Sequence, residues 1–132
     1  MIVTAAPEQT PARRVEAAAF VLALRARNIR DTAVLGAMER IPRELFAPRR
    51  FADLSRSDVA LPLPCGQTMT APWTVATMLV ALAARRGQRV LEIGTGSGYA
   101  TALLARLGCR VAPVKSISPG AGADGQGCSR VR

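Results

Sequence analysis

The sequence predicts an α/β fold in which a run of N-terminal helices precedes one strand–turn–helix unit. Three observations carry this. Val90, Leu91 and Ile93 form a short apolar run of strand formers. Gly94, Gly96 and Gly98 follow at every second position. An Ala- and Leu-rich segment from Ala100 to Leu107 comes directly after them. Glycines between a strand and a helix let the backbone take positive φ and let N–H groups approach a ligand closely. The helix N-terminus behind them adds unpaired donors and a partial positive charge.

Upstream of that unit the elements follow in order. Residues 1–10 read as a polar, proline-containing leader that frays. Pro11 suits the first turn of a helix. Val15, Ala18, Ala19 and Leu22 recur at i, i+3, i+4 and i+7, which predicts one apolar face on a helix over 12–27. Asp31 is the natural N-cap of a second helix, residues 32–40, with Val34, Leu35 and Met38 as its stripe. Ile41-Pro42 ends it, because the residue before proline avoids the α region. Residues 43–46 are expected to make one more turn, with Phe46 and Phe51 as core plugs. From Leu61 to Pro72 neither helical nor strand periodicity exists. Pro62, Pro64 and Pro72 stiffen this loop, Gly66 loosens one point, and Gln67, Thr68 and Thr70 give it hydroxyls and an amide to present. Residues 73–85 return to helical spacing, with Val75, Met78, Leu79 and Leu82 on one side and Gly87 as the C′ residue. Residues 11–86 thus form a helical region containing the 61–72 loop, 87–115 an incomplete βα unit, and 116–132 a Gly-, Ser- and Pro-rich tail that reads as disordered.

Composition bounds the possibilities. A chain of 132 residues makes one domain at most. Hydrophobic residues are 49% but aromatics only 4%, so Ala, Leu and Val must build the core. The net charge of +9 is carried by arginine, since 18 Lys+Arg less the single Lys115 leaves 17 Arg. A basic chain can meet nucleic acid, but these arginines are scattered and few aromatics lie among them to stack bases. Cys65, Cys109 and Cys128 lack C-x-x-C spacing and there is no His, which argues against a metal site and against His-dependent catalysis. An odd cysteine count fits a reducing compartment, so a cytoplasmic location is expected. The apolar run 17–24 is too short to span a bilayer and reads as an amphipathic helix, not an export signal.

The glycine spacing is informative. A dinucleotide fingerprint wants G-x-G-x-x-G, whereas Gly94, Gly96 and Gly98 give G-x-G-x-G, with Tyr99 next and Glu92 two residues before the first glycine. This variant suits a ligand without a pyrophosphate, such as one joining an amino-acid group to a nucleoside. A glycine-rich turn that binds nothing is the simpler alternative.

Several stretches together resemble the protein-L-isoaspartate O-methyltransferases, class I enzymes that use S-adenosylmethionine. They are residues 29–31 with 34–38, then Ile41-Pro42-Arg43-Glu44-Leu45-Phe46-Ala47-Pro48, Leu61-Pro62, Gly66-Gln67-Thr68-Met69-Thr70-Ala71-Pro72, and 90–99. The glycine motif is shared by many methyltransferases. The 42–46 segment and the 66–68 loop are more specific. The resemblance implies a Rossmann-like fold and methyl transfer from S-adenosylmethionine to the carboxylate of isoaspartyl residues in damaged proteins. It implies that Gly94, Gly96 and Gly98 cradle the methionine portion of the cofactor, with Thr95 and Ser97 in the same turn. Glu92 would support the loop or the cofactor's amino group, Gln67 and Thr68 would complete the cofactor-side set, and Thr70 would face the reacting carboxylate as the catalytic candidate. Pro64, where the family usually has Gly, departs from the pattern. A monomer acting on isoaspartyl proteins, without membrane or specific nucleic-acid partners, is the expectation.

After Val111 the pattern is expected to break. The second strand should end in an acid that binds ribose hydroxyls about 20 residues beyond the first glycine, and Lys115 stands near that place. Pro113 is expected to interrupt the strand. A truncated or frame-shifted product from about residue 112 follows as the expectation, with the rest of the sheet missing and activity impaired. Two other readings are an interaction module made of the N-terminal helices and a nucleic-acid methyltransferase.

Overall fold

Residues 10–115 are described by the computed structural model of the chain. The first helix, α1 (Pro11–Ala26), starts with Pro11 at its first position, and the Thr10 hydroxyl accepts from the Arg13 N–H at 3.5 Å. Its buried side chains are Ala17, Phe20 and Leu24, whereas Val15 and Leu22 remain 70% and 62% exposed. The expected face is therefore the wrong one. Ala17, Phe20, Val21 and Leu24 satisfy the same i, i+3, i+4, i+7 spacing, and this stripe contains the segment's one aromatic ring. The stripe with the larger burial wins.

Helix α2 (Thr32–Arg40) matches its sequence signals closely. One Asp31 carboxylate oxygen accepts from the N–H groups of Ala33 and Val34 at 2.9 and 3.0 Å. Val34, Leu35, Ala37 and Met38 are buried. Two 3₁₀ turns follow, Arg43–Leu45 and Arg49–Leu54, the second without a sequence forecast. Phe46 and Phe51 are half-buried and pack against the core from its margin rather than plugging it.

The 61–72 loop holds more order than expected. Strands β1 (Leu61–Pro62) and β2 (Thr68–Met69) pair antiparallel, Leu61 opposite Met69, and both of these side chains are buried. Each strand has two residues, too few for any period to register. The turn between them puts Cys65 at φ 62° and Gly66 at φ 68°. Helix α3 (Pro72–Leu82) then ends three residues before the expected Arg85, with Ala83 left-handed at φ 47°. Gly87, at φ 85°, serves the turn into the next strand instead of capping α3. Half of the predicted α3 stripe is buried, Val75 and Leu79, while Met78 and Leu82 are 53% and 51% exposed.

Strand β3 (Arg89–Ile93), helix α4 (Tyr99–Arg106) and β4 (Arg110–Val114) complete a βαβ unit whose strands pair in parallel over five residues. Pro113 does not interrupt β4. The Arg110 N–H donates to the Gln88 carbonyl and the Val114 carbonyl accepts from Gly94, so even-numbered residues of β4 turn their backbone groups toward β3. Pro113 is odd and faces away, where its missing N–H breaks no bond of this ladder. Leu103 and Leu104 of α4 seal one sheet face together with Tyr99. On the opposite face Leu91, Ile93 and Val114 are 64%, 76% and 47% exposed.

The choice of α1 face is directly measurable. Phe20→Ala should destabilise the chain by about 3 kcal/mol, and Leu22→Ala should stay within about 0.5 kcal/mol. Urea denaturation of both variants checks this; equal losses would restore the stripe read from the sequence.

Candidate active site

A cavity of about 270 Å³ lies where the 68–70 segment meets the carboxyl end of β3. Thr68 and Thr70 line one side; Glu92, Gly94, Thr95, Gly96 and Ser97 line the other, and Met69, Leu79 and Leu104 supply apolar wall. Seven of the nine residues singled out from the sequence thus border one space. Gln67 and Gly98 lie outside its lining.

The glycine turn owes its residue types to backbone conformation. Gly94, Gly96 and Gly98 sit at φ 82°, 53° and 85°, a region that side chains strain. Space is not the issue, because an added Cβ at Gly94 or Gly98 meets nothing within 4 Å. The Gly94 and Thr95 N–H groups both donate to the Val114 carbonyl, at 2.8 and 3.3 Å, and Gly98 donates to Thr95 at 2.9 Å. Those of Gly96 and Ser97 make no such bond within the described residues. The Ser97 hydroxyl accepts from the Tyr99 N–H at 3.3 Å and so serves the start of α4. The Thr101 hydroxyl donates to the Glu92 carboxylate, which ties the end of β3 to α4. The Thr95 hydroxyl is buried and has no partner among the described residues.

Behind the Thr70 wall stands a residue the sequence reading left unassigned. Arg43 is 2% exposed, and its guanidinium donates to the carbonyls of Ser55, Val59 and Thr70 at 3.0, 3.0 and 3.1 Å. Burial pulls its pKa below the ordinary value, and the nearby Tyr99 opposes that shift. The signal available was the segment Pro42-Arg43-Glu44-Leu45-Phe46, whose specificity the sequence already marked. At the other end of the loop, Asp58 accepts from the Trp73 N–H at 2.9 Å and pairs with Arg27, whose guanidinium lies 4.3 Å from the Trp73 ring centre. A remote carboxylate thus caps α3 at its positive end.

Tyr99 is the other buried group without a sequence forecast. It is 2% exposed, its ring lies 5.5 Å from that of Phe46, and its hydroxyl has no partner among the described residues. Burial holds the phenol well above its ordinary pKa, with Arg43 opposing and Glu44 adding to the shift.

With this geometry in place, comparison with known proteins is decisive. The model of the protein-L-isoaspartate(D-aspartate) O-methyltransferase family matches residues 15–120. The chain belongs to that family. The match takes in all of β4 and ends at residue 120. Among curated relatives, the protein-L-isoaspartate O-methyltransferase of Azorhizobium caulinodans is 53% identical over 100 residues, covering 76% of this chain and 46% of the relative. That of Maricaulis maris is 52% identical over 96 residues, covering 73% and 45%. The chain therefore spans about half the length of the curated relatives it matches.

Solved structures agree on the fold. A Plasmodium falciparum chain named for the same family, in complex with S-adenosyl-L-homocysteine, superposes with a TM-score of 0.64 at 22% identity, over 76% of this chain and 49% of that one. A second protein-L-isoaspartate O-methyltransferase gives 0.63 at 25% identity, over 77% and 34%. The α/β architecture is thus N-terminal helices joined to the first βα unit of a Rossmann-like methyltransferase fold. Among the described residues no helix is long and apolar enough to cross a membrane.

The unpaired Tyr99 hydroxyl yields a two-part expectation. Tyr99→Phe removes a buried group without a partner and should raise stability by about 1 kcal/mol at neutral pH. Because folding raises the phenol pKa above 10.0, wild-type stability is intact below pH 10 and falls as pH rises past it. Tyr99 is the one tyrosine in the chain, so thermal melts against pH, followed with tyrosinate absorbance, isolate its effect. A wild-type curve as flat as that of Tyr99→Phe above pH 10 would refute the assignment.

Proposed function

We propose that this chain serves methyl transfer from S-adenosyl-L-methionine to the free carboxylate of isoaspartyl residues in damaged proteins. The observation that carries this is the meeting of two segments: hydroxyl-bearing Thr68 and Thr70 line the same cavity as the glycine turn. The family to which the chain belongs supplies the reaction class.

The residues suit the methionine half of this cofactor. The turn presents a buried Thr95 hydroxyl and two backbone N–H groups, of Gly96 and Ser97, that have no hydrogen-bond partner among the described residues. Open space at Gly94 lets a ligand approach the backbone. When bound, S-adenosyl-L-methionine supplies an electrophilic methyl group. The chain's task is then orientation. An isoaspartyl carboxyl has an ordinary pKa of about 4 and is ionised at neutral pH, so it needs no general base. That accords with a sequence lacking His. In this reading Thr70, which lines the cavity, donates its hydroxyl to the carboxylate and holds one oxygen toward the methyl group. Met69, Leu79 and Leu104 keep water from the line of transfer. Glu92 is held by Thr101 and steadies the turn. Gln67 and Gly98, outside the cavity lining, act through loop and turn geometry.

The ribose end differs. Lys115, directly after β4, carries the wrong charge for accepting from ribose hydroxyls. Weak cofactor binding follows, and Lys115→Asp should tighten it about tenfold, the worth of a charge-assisted hydrogen bond. Titration calorimetry with S-adenosyl-L-homocysteine reads this; unchanged affinity would remove Lys115 from the account. The function itself is tested by methyl ester formation on an isoaspartyl peptide, with the same peptide carrying ordinary aspartate as control. Methyl transfer to the isoaspartyl peptide alone is expected, with Thr70→Ala losing most of it. Equal labelling of both peptides, or none, sinks the proposal.

A further inference from the structure

Arg43 has no part in the reaction as written, yet its burial demands an account. A buried cation ordinarily faces a carboxylate. Here the three bonds of the guanidinium go to main-chain carbonyls, of Ser55, Val59 and Thr70. The neighbouring acid, Glu44, accepts from the Arg56 guanidinium at 3.1 Å instead. The three carbonyls share one property: none belongs to a helix or a strand pair. Ser55 and Val59 lie between the Arg49–Leu54 turn and β1, and Thr70 lies between β2 and α3. A planar fork with donors in fixed directions can satisfy several such acceptors at once, which a point-like ammonium cannot. The Thr70 carbonyl is thus held from behind while Thr70 lines the cavity in front. The cofactor wall is fixed by a different route, through the Val114 carbonyl and the Glu92–Thr101 bond.

We propose that Arg43 is the positioning residue of the substrate wall: its fork sets the backbone of Thr70, and so governs binding of the isoaspartyl carboxylate without governing the cofactor. This rests on the proposed function, because Thr70 matters only if a carboxylate substrate meets it. The two walls are therefore separable, each answering to its own anchor.

Arg43→Lys keeps the charge and loses the fork; Arg43→Met loses both. In the full chain, Arg43→Lys should keep its affinity for S-adenosyl-L-homocysteine within about twofold and weaken isoaspartyl-peptide binding about tenfold, the worth of one charge-assisted hydrogen bond. Amide exchange should quicken at Met69, Thr70 and Ala71 and stay unchanged from Gly94 to Gly98. Arg43→Met should be worse on both loop readouts, with Arg43→Lys giving partial rescue; where Arg43→Met fails to fold, Arg43→Lys alone carries the test. Loss of cofactor and peptide affinity together, in step with a falling melting temperature, would reduce Arg43 to scaffold and overturn the inference. So would unchanged peptide affinity with unchanged exchange. A wild-type chain that binds S-adenosyl-L-homocysteine but no isoaspartyl peptide defeats the proposed function and the substrate half of this inference, while exchange at 69–71 still decides whether Arg43 sets the loop.

Discussion

One buried guanidinium joins the irregular half of this protein. Placing a cation away from water carries a penalty of several kcal/mol unless hydrogen bonds replace its hydration. Arg43 meets most of that demand with three carbonyl oxygens, and its buried Nε has no partner among the described residues. The carbonyls gain as well, since segments outside helices and sheets have few internal donors for their buried oxygens. The exchange is mutual, and it couples residues 12, 16 and 27 positions apart in the chain. Helices α2 and α3 pack through apolar side chains, but the path between them is set by this charge.

How much of this could be read in advance depended on how many signals coincided. At α2, an Asp31 cap, an apolar stripe and a terminating Pro42 all agreed, and the helix has the bounds they gave. At α1 the period alone had to choose between two stripes, because apolar residues surround much of that helix, and Phe20 decided the matter through burial. The β1–β2 hairpin was illegible because two-residue strands carry no period, and Leu61 and Met69 become partners only across the turn. Pro113 was misread for a geometric reason. A proline forbids one hydrogen bond in one direction, and sequence alone does not show which edge it faces.

The candidate site was more legible than its supports. The glycines announce themselves by residue type and spacing, and Thr70 is marked by the family resemblance of its loop. Arg43 and Tyr99 act through burial, and their partners are backbone atoms or ring edges that no motif encodes. Lys115 is the converse case: its charge and its place directly after β4 are both legible in the sequence.

Pro113 also gives the small parallel sheet a direction of growth. Along the outer edge of β3, Arg89, Leu91 and Ile93 turn their N–H groups outward by the same alternation that turns even-numbered residues toward β4. Along the outer edge of β4 the outward positions are Val111 and Pro113, and of these Val111 alone has a hydrogen to give. Among the described residues, a strand arriving from another polypeptide finds three donors on one flank and a single donor on the other. The proline blunts the second flank against edge-to-edge pairing, much as edge prolines do in larger sheets. The sheet is therefore a template with one active side, and that side belongs to the strand that ends in the glycine turn.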